Sequence, residues 1–445
     1  MKKTLSLAMA LFLALGACCA VAEDENRFDF FRMFNNNEVI ISKEEYDSLK
    51  HFQKLAEVYA QIQKFYYEEP DETRMLDGAL WGMLEGLGDN YTFYYSPESW
   101  ENMWQNDEGN YAGVGIQMLA NFTTNVVTIS RVFQNTPAEK AGIRKGDILV
   151  RVDDLKVTAE NMSEAANLMR GKEADTVELE IIRKGENIVY TVGRAIINVN
   201  WTEKTMLDDH VGLIALYEFS GDCEERLAAD VEELEKEGAT ALILDLRDNS
   251  GGWVDAAEKI ANIFLDKQLL FYSENRQGKR EERYTKAGKD DIPLVFLVNG
   301  GSASSSEILS GSLQDAGRAL LVGTQTYGKG IMQYVIPLSG VKGKEDGMQV
   351  TYAQYFMPSG KKVHKIGITP DVIVEMPEEL VSEFFQLGDM SDPQLKAAWE
   401  QALKLRSGEI ELKPREPVAE DGTETESGTD AAAWAPEPLF HSVLF

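Results

Sequence analysis

Histidine and cysteine are scarce in this 445-residue chain, at four and three residues. A Ser-His-Asp triad needs a histidine. His51 falls in a helical apolar stripe, His441 lies near the carboxyl end, and His210 and His364 have no recognisable flanking motif. There is no Gly-x-Ser-x-Gly elbow, no His-Glu-x-x-His and no Cys/His cluster at zinc-ligand spacing. No metal and no cofactor is therefore expected. Cys18 and Cys19 sit in the amino-terminal apolar segment, so without that segment only Cys223 remains and no internal disulfide forms. Asp222, Glu224 and Glu225 flank Cys223 and work against a thiolate.

Positive charge is also in short supply. Lys and Arg number 44 against 74 Asp and Glu, a formal net charge of -30. Such a surface repels nucleic-acid backbones and anionic membranes, which excludes a nucleic-acid partner. No apolar run beyond the amino terminus is long enough to span a bilayer. At the start, Lys2 and Lys3 precede the short apolar run Leu5–Leu15 and the small-x-small site Ala20-Val21-Ala22. This is the pattern of a cleavable export signal over 1–22, which places the mature chain in a periplasm, cell envelope or extracellular space. An uncleaved signal, or lipidation at Cys18 in Leu15-Gly16-Ala17-Cys18, would instead tether it to a membrane.

What is present divides the chain. Residues 23–42 are polar and Asn-rich. Ser42 and Glu45 form a capping-box signature, and Leu49, Phe52, Leu55, Ala56 and Tyr59 recur at helical spacing. A second helix is expected over Asp71–Leu87, striped by Met75, Leu76, Ala79, Leu80, Met83 and Leu84. Both stripes are read as core packing within a helical region spanning 43–110. Residues 111–197 turn to short β runs, Val126–Ile129, Asp147–Val152 and Val177–Ile182, with helical patterns near Pro137–Ala141 and Met162–Met169 and a hairpin turn at Arg183–Glu186. From about Val211 strands and helices alternate. Ala241–Leu244, Leu294–Val298 and Ala319–Val322 are unbroken apolar runs, as in strands buried on both faces, and helices are expected at Glu224–Glu237, Val254–Phe264 and Ser305–Leu313. That is an α/β domain, taken with a last helix after Asp392 to span 198–405. Residues 406–445 read as an acidic, disordered tail. Its last residues, Leu439–Phe445, turn apolar again without an assigned element.

Three clusters of small residues follow three of these strands. Asn299-Gly300-Gly301-Ser302-Ala303-Ser304-Ser305-Ser306-Glu307-Ile308 runs from a strand into a helix, whose amino terminus turns free N–H groups toward whatever binds there. It suits a nucleophilic serine or a serine-rich cap. Asp245-Leu246-Arg247-Asp248-Asn249-Ser250-Gly251-Gly252 suits an oxyanion hole or a tight turn. Tyr327-Gly328-Lys329-Gly330 suits a catalytic base or a phosphate grip. The phosphate-loop pattern fails, because Gly330 stands where a hydroxyl residue is required. A Ser-x-x-Lys at Ser339–Lys342 lies among glycines and reads as a hairpin loop.

These three stretches, in this order and spacing, resemble the C-terminal processing (tail-specific) peptidases, PDZ-containing serine peptidases with a Ser-Lys dyad. The resemblance runs from about Tyr67 to Leu405 and includes Gly86–Thr92 and Gly367–Asp371. It implies a multidomain α/β protein with a ClpP/crotonase-like peptidase core, an inserted PDZ domain and an N-terminal helical segment. By that likeness Ser304 is the nucleophile, Lys329 its general base and Gln333 the residue that orients the lysine. Gly252 and the N–H of Ser305 form the oxyanion hole, and Asp315 supports the structure. Ser305 and Asn90 depart from the alanine and proline common in the family. A lysine is protonated up to a pKa near ~10.4, and burial can lower that by as much as roughly 3–5. A neutral Lys329 thus demands a dry cleft, which we expect domain movement to assemble around bound substrate.

Gly113-Val114-Gly115-Ile116 looks like the loop with which a PDZ domain grips a C-terminal carboxylate while the peptide adds as a strand. Pro137–Ile143 and Lys145–Leu149 also look PDZ-like. Arg170 matches a family arginine that couples this module to the active site, against the alternative of a solvated surface charge. The expected partners are protein or peptide substrates with free C-termini, and self-association into a homo-oligomer stays open. The competing functions are a PDZ adaptor on an inactive peptidase-like scaffold and a ligand-binding relative with a degenerate dyad.

Overall fold

The computed structural model describes residues 41–108, 110–121, 124–286, 290–338, 345–377, 380, 385–418 and 442–444. The export signal, the Asn-rich leader, Ser339–Lys342 and most of the acidic tail lie outside these. In chain order the elements begin with α1 (Lys43–His51), α2 (Gln53–Phe65), α3 (Glu72–Glu85), β1 (Phe93–Tyr95) and α4 (Pro97–Glu108). Then come β2 (Asn110–Gly113), β3 (Ile116–Asn121), β4 (Val126–Val132), α5 (Pro137–Ala141), β5 (Ile148–Val152), β6 (Leu155–Lys156), α6 (Met162–Met169), β7 (Thr176–Arg183), β8 (Glu186–Gly193) and β9 (Ala195–Asn198). The α/β portion holds β10 (Thr202–Leu207), β11 (Val211–Leu216), α7 (Cys223–Lys236), β12 (Ala241–Asp245), α8 (Val254–Phe264), β13 (Leu269–Asn275), β14 (Arg280–Tyr284), β15 (Leu294–Val298), α9 (Ser305–Asp315) and β16 (Ala319–Gly323). It continues with β17 (Ile331–Pro337), β18 (Gly347–Phe356), β19 (Val372–Ile373) and α10 (Pro393–Ser407), and β20 (Ser442–Leu444) comes last. The described residues form two compact units, one of those up to 101 with those between 333 and 351, the other of those between 102 and 332 with those from 352 on.

In the first unit Ser42 caps α1 through the expected box with Glu45. The helical run breaks at Phe52, and α2 follows. The stripes differ from expectation: Leu49, Phe52, Leu55, Tyr59, Leu76 and Met83 are exposed instead of forming a core. Periodicity records that a helix has an apolar face; it does not record what covers it. The packed part of the unit centres on β1, which pairs antiparallel with the start of β18. There Tyr94 is buried and donates to Asp346, and the Trp100 ring fills the space beside Gly347, where any Cβ would collide with it.

The second unit contains a six-stranded sheet ordered β10-β11-β12-β15-β16-β19, parallel except for the β10–β11 hairpin. Its apolar runs are explained by two-sided burial. Leu242, Leu244, Leu294, Phe296 and Leu321 pack in one cluster with α7, α8 and α9. Ile243, Val295, Leu297 and Val322 point the other way and pack with Leu395, Ala398 and Ala402 of α10. Asp392 caps α10 by accepting from Gln394 and Leu395 N–H groups, and Arg247 ties this cap to the sheet by pairing with both Asp245 and Asp392. Residues 408–418, assigned above to the tail, run along this unit: Arg415 pairs with Asp371 and the Val418 N–H donates to Ser359 O.

The β module is a sheet ordered β20-β3-β4-β5-β7-β8, with β6 paired to β5. Its own core includes Ile116, Met118, Ile129, Leu149, Ala166, Leu179 and Ile181. The β7–β8 turn uses left-handed Lys184 and Gly185, as a two-residue hairpin requires. The β2–β9 ribbon connects the module to the α/β part, and Arg131 of β4 reaches across to Glu203 at 3.1 Å and lies over the Tyr217 ring.

Candidate active site

Parallel strands deliver their following loops to one edge of a sheet. β12, β15 and β16 are adjacent and parallel, so the loops at 246–253, 299–304 and 324–330 emerge together at their carboxyl ends, where open α/β sheets place their sites. Asn249 joins the first two. Fully buried, it donates from its side chain to Leu216 O, accepts from Gly251 N–H, and offers its carbonyl to Ala303 N–H at 3.0 Å and Ser306 Oγ at 2.8 Å. Ser302 donates to Leu246 O, and its carbonyl accepts from Tyr327 N–H, bringing in the third loop.

Ser304 stands at the start of α9 with φ 54 and ψ -115. A non-glycine residue held at positive φ outside the helical wells is strained, at a cost on the order of 1–3 kcal/mol, and such strain persists only where the surroundings impose it. Here they do. The Ser304 N–H donates to Glu307 Oε2 at 2.9 Å, and Tyr355 Oη lies 3.3 Å from Ser304 O. The Lys329 N–H donates to that same Glu307 oxygen at 2.8 Å, while the other oxygen accepts from Gly328 N–H and Thr326 Oγ1. One fully buried carboxylate thus holds the backbone of the candidate nucleophile and that of the candidate base together. Burial pushes its pKa up to about 7, against the pull of its four donors. Glu307 was quoted in the sequence motif without a role. Glu three residues into a helix signals a capping box, but its second pair of donors is visible only in the fold.

Glycines make the close approaches possible. Gly251 has φ 108, and a Cβ there would meet Ser304 Cβ, Ala303 O and Ser305 N. Gly252 has φ 132, and a Cβ there would lie 2.4 Å from Phe219 O. Around it Phe219 N–H donates to Gly251 O and Trp253 N–H to Phe219 O, while Ser305 Oγ donates to Gly252 O at 2.8 Å. Among the described residues no hydrogen bond engages the N–H of Gly252 or of Ser305. Gly328 and Gly330 set Lys329 tightly against the 364–367 backbone, where a Cβ at 330 would fall 2.2 Å from His364 N.

The structure brings Ser304, Ser305, Gly252 and Lys329 together. Gln333 belongs to the other unit, where its side chain donates to Thr351 Oγ1 at 3.1 Å. Asp315 closes α9 and accepts from Ser359 N–H, in keeping with a supporting role. Arg170 is not a solvated charge: it is half-buried at the end of α6, over the Tyr111 ring of β2, and burial pushes its pKa down. Val114 and Ile116 are fully buried. Val114 O accepts from Ala138 N–H, and Gly115, at φ 89, packs against the Thr136 side chain. Gly113 belongs to β2, so the turn proper is Val114-Gly115. Cys223 is buried, and burial with the Glu224 carboxylate beside it holds the thiol well above its ordinary value.

A strained serine at a strand-to-helix turn, a lysine whose backbone shares its Glu307 anchor and a PDZ-like module suit a serine peptidase, and comparison with known proteins names the family. The peptidase family S41 model matches residues 210–374, a PDZ domain model 128–183, and a model of the activating protease CtpB N-terminal domain 19–99. A carboxyl-terminal-processing protease of Synechocystis sp. is 38% identical over 72% of this chain and 75% of its own length. The carboxy-terminal processing protease CtpA of Bacillus subtilis is 34% identical over 74% of this chain and 70% of its own length. Among solved structures, a photosystem II D1 C-terminal processing protease superposes with a TM-score of 0.55 at 28% identity, covering 77% of this chain and 96% of that one. The chain belongs to peptidase family S41: it is a serine-type peptidase with a PDZ domain.

Proposed function

We propose that this peptidase is exported and cleaves protein substrates whose C-terminal tails are held by its PDZ domain, with Ser304 as nucleophile and Lys329 as base. The observation that carries the reading is the shared Glu307 oxygen, which places the two residues' backbones side by side. As Ser304 Oγ bonds to the scissile carbonyl carbon, its proton passes to the neutral Lys329 amine. The carbonyl oxygen takes the negative charge and accepts from the Gly252 and Ser305 N–H groups. The resulting Lys329 ammonium protonates the leaving amine as the C–N bond breaks, leaving an acyl-enzyme. Lys329 then takes a proton from water as that water attacks, and returns it to Ser304 on release. Arg170 relays PDZ occupancy through Tyr111 to the α/β part.

Casein cleavage tests the dyad. Ser304→Ala and Lys329→Ala should each lower kcat at least ~10³-fold with the fold intact by circular dichroism; full activity in either variant would reject its assignment. Peptides differing only in a free or amidated C-terminus test tail recognition, with amidation expected to raise KM. Export is supported by the amino-terminal pattern, and Cys18 acylation is checked by mass spectrometry of the mature chain. Among the described residues no helix is long and apolar enough to cross a membrane. An inert adaptor on the same scaffold would bind tails and leave casein intact; membership of a peptidase family weighs against it.

A further inference from the structure

We propose that the PDZ groove of this peptidase is occupied by the protein's own segment Ser442–Leu444, which competes with substrate tails for the same strand. Without β20, strand β3 would be the open edge of its sheet, a row of N–H and C=O groups ready to accept an added strand. β20 covers it antiparallel, with Ser442 opposite Leu119, Val443 opposite Met118 and Leu444 opposite Gln117. It also lies against α6, so it sits between a sheet edge and a helix, where a peptide joins by strand addition. Its direction points its carboxyl-terminal end at the Val114–Ile116 turn. The strand's own sequence fits: Val443 and Leu444 are apolar, within a segment that turns apolar after an acidic stretch.

The inference rests on reading this groove as the tail site, and it adds who fills it at rest. Because β3 offers its free edge once, β20 and a substrate strand exclude one another. The connecting segment 419–441 carries acidic residues and no Lys or Arg. A chain of that length can reach at most several tens of ångströms, at about 3.3–3.6 Å per residue. Tethering of this kind gives an effective concentration on the order of 1 mM. If the segment's intrinsic dissociation constant is about 0.1 mM, incoming tails bind about tenfold more weakly than they would to an empty groove. Weak tails are then rejected and only tight or locally concentrated ones displace β20.

The test uses the full chain, with and without Val443→Pro, which puts a residue without an N–H into the strand and disfavours its pairing. A second variant, Leu444→Asp, guards against an effect peculiar to proline. In a Ser304→Ala background, hydrogen exchange of the Gln117–Leu119 amides and binding of a fluorescent peptide of sequence Leu439–Phe445 are measured. Faster β3 exchange and about tenfold tighter peptide binding in both variants are expected, with protection in the unaltered chain independent of protein concentration. Equal protection and equal affinity in all three chains overturn the proposal, as does protection that grows with concentration, which would assign the strand to a second copy. With Ser304 intact, the variants should also lower KM for casein. Tighter peptide binding with unchanged KM leaves the self-occupied groove standing and removes instead the reading that substrates enter through it.

Discussion

Glu307 receives four donors on two oxygens, so it cannot be exchanged for its amide without loss. Glu307→Gln keeps one oxygen and turns an NH2 toward two groups that are themselves donors. Each buried group left unpaired costs about 1–3 kcal/mol, so with two of them we expect the variant to be about 2–6 kcal/mol less stable by urea unfolding, with kcat reduced because Ser304 and Lys329 lose their common anchor. Glu218 offers a pH test away from the dyad. Burial pushes its pKa up to about 7 from an ordinary 4.5, with Ser220 Oγ pulling the other way. In a folded chain it thus keeps its proton over a range where the unfolded chain has lost it. The stability this contributes is fully present below pH 4.5 and lost as pH rises through about 7. Glu218→Gln does not titrate, so its stability relative to the parent should increase from pH 5 to pH 8, read from urea midpoints; a relative decrease would refute the assignment.

At the scale of elements, the site depends on loops that only glycine can close. In Gly252→Ala the new Cβ meets the Phe219 carbonyl at 2.4 Å, backbone against backbone, and φ 132 is unfavourable for any side chain. Peptidase activity should fall at least ~10²-fold even where the chain still folds, checked by assay alongside circular dichroism. Arg247 ties the end of β12 to the cap of α10. The pair is largely buried, with Asp392 2% exposed in its side chain, so Arg247→Ala should cost about 3–5 kcal/mol in urea unfolding by stranding two carboxylates. Much of this level was legible beforehand. Val254–Phe264 and Leu294–Val298 agree residue for residue with the elements found, because continuous apolar runs and amphipathic periods are local signals. The stripes on α1–α3 show the limit: Leu49, Leu55 and Tyr59 identify a helical face, but whether that face meets a core depends on residues far away in the chain.

For the molecule as a whole, the apolar side chains of Leu49, Phe52, Leu55 and Tyr59 are exposed on a chain otherwise rich in negative charge, and exposed apolar faces mark contact surfaces. Self-association through this face predicts that Leu55→Glu with Tyr59→Glu shifts the chain toward monomer, read by sedimentation velocity; an unchanged mass would reject the face as a contact. The motif residues, the alternation of strands and helices, and the likeness to one peptidase family could all be read from the chain alone, since each is written in neighbouring residues. It took the fold to show that three loops distant in sequence meet at one sheet edge, that Glu307 binds the backbone of both Ser304 and Lys329, and that Ser442–Leu444 pairs with β3. Those outcomes depend on strand order and register, which arise from burial summed over the whole chain and leave no mark on any single segment.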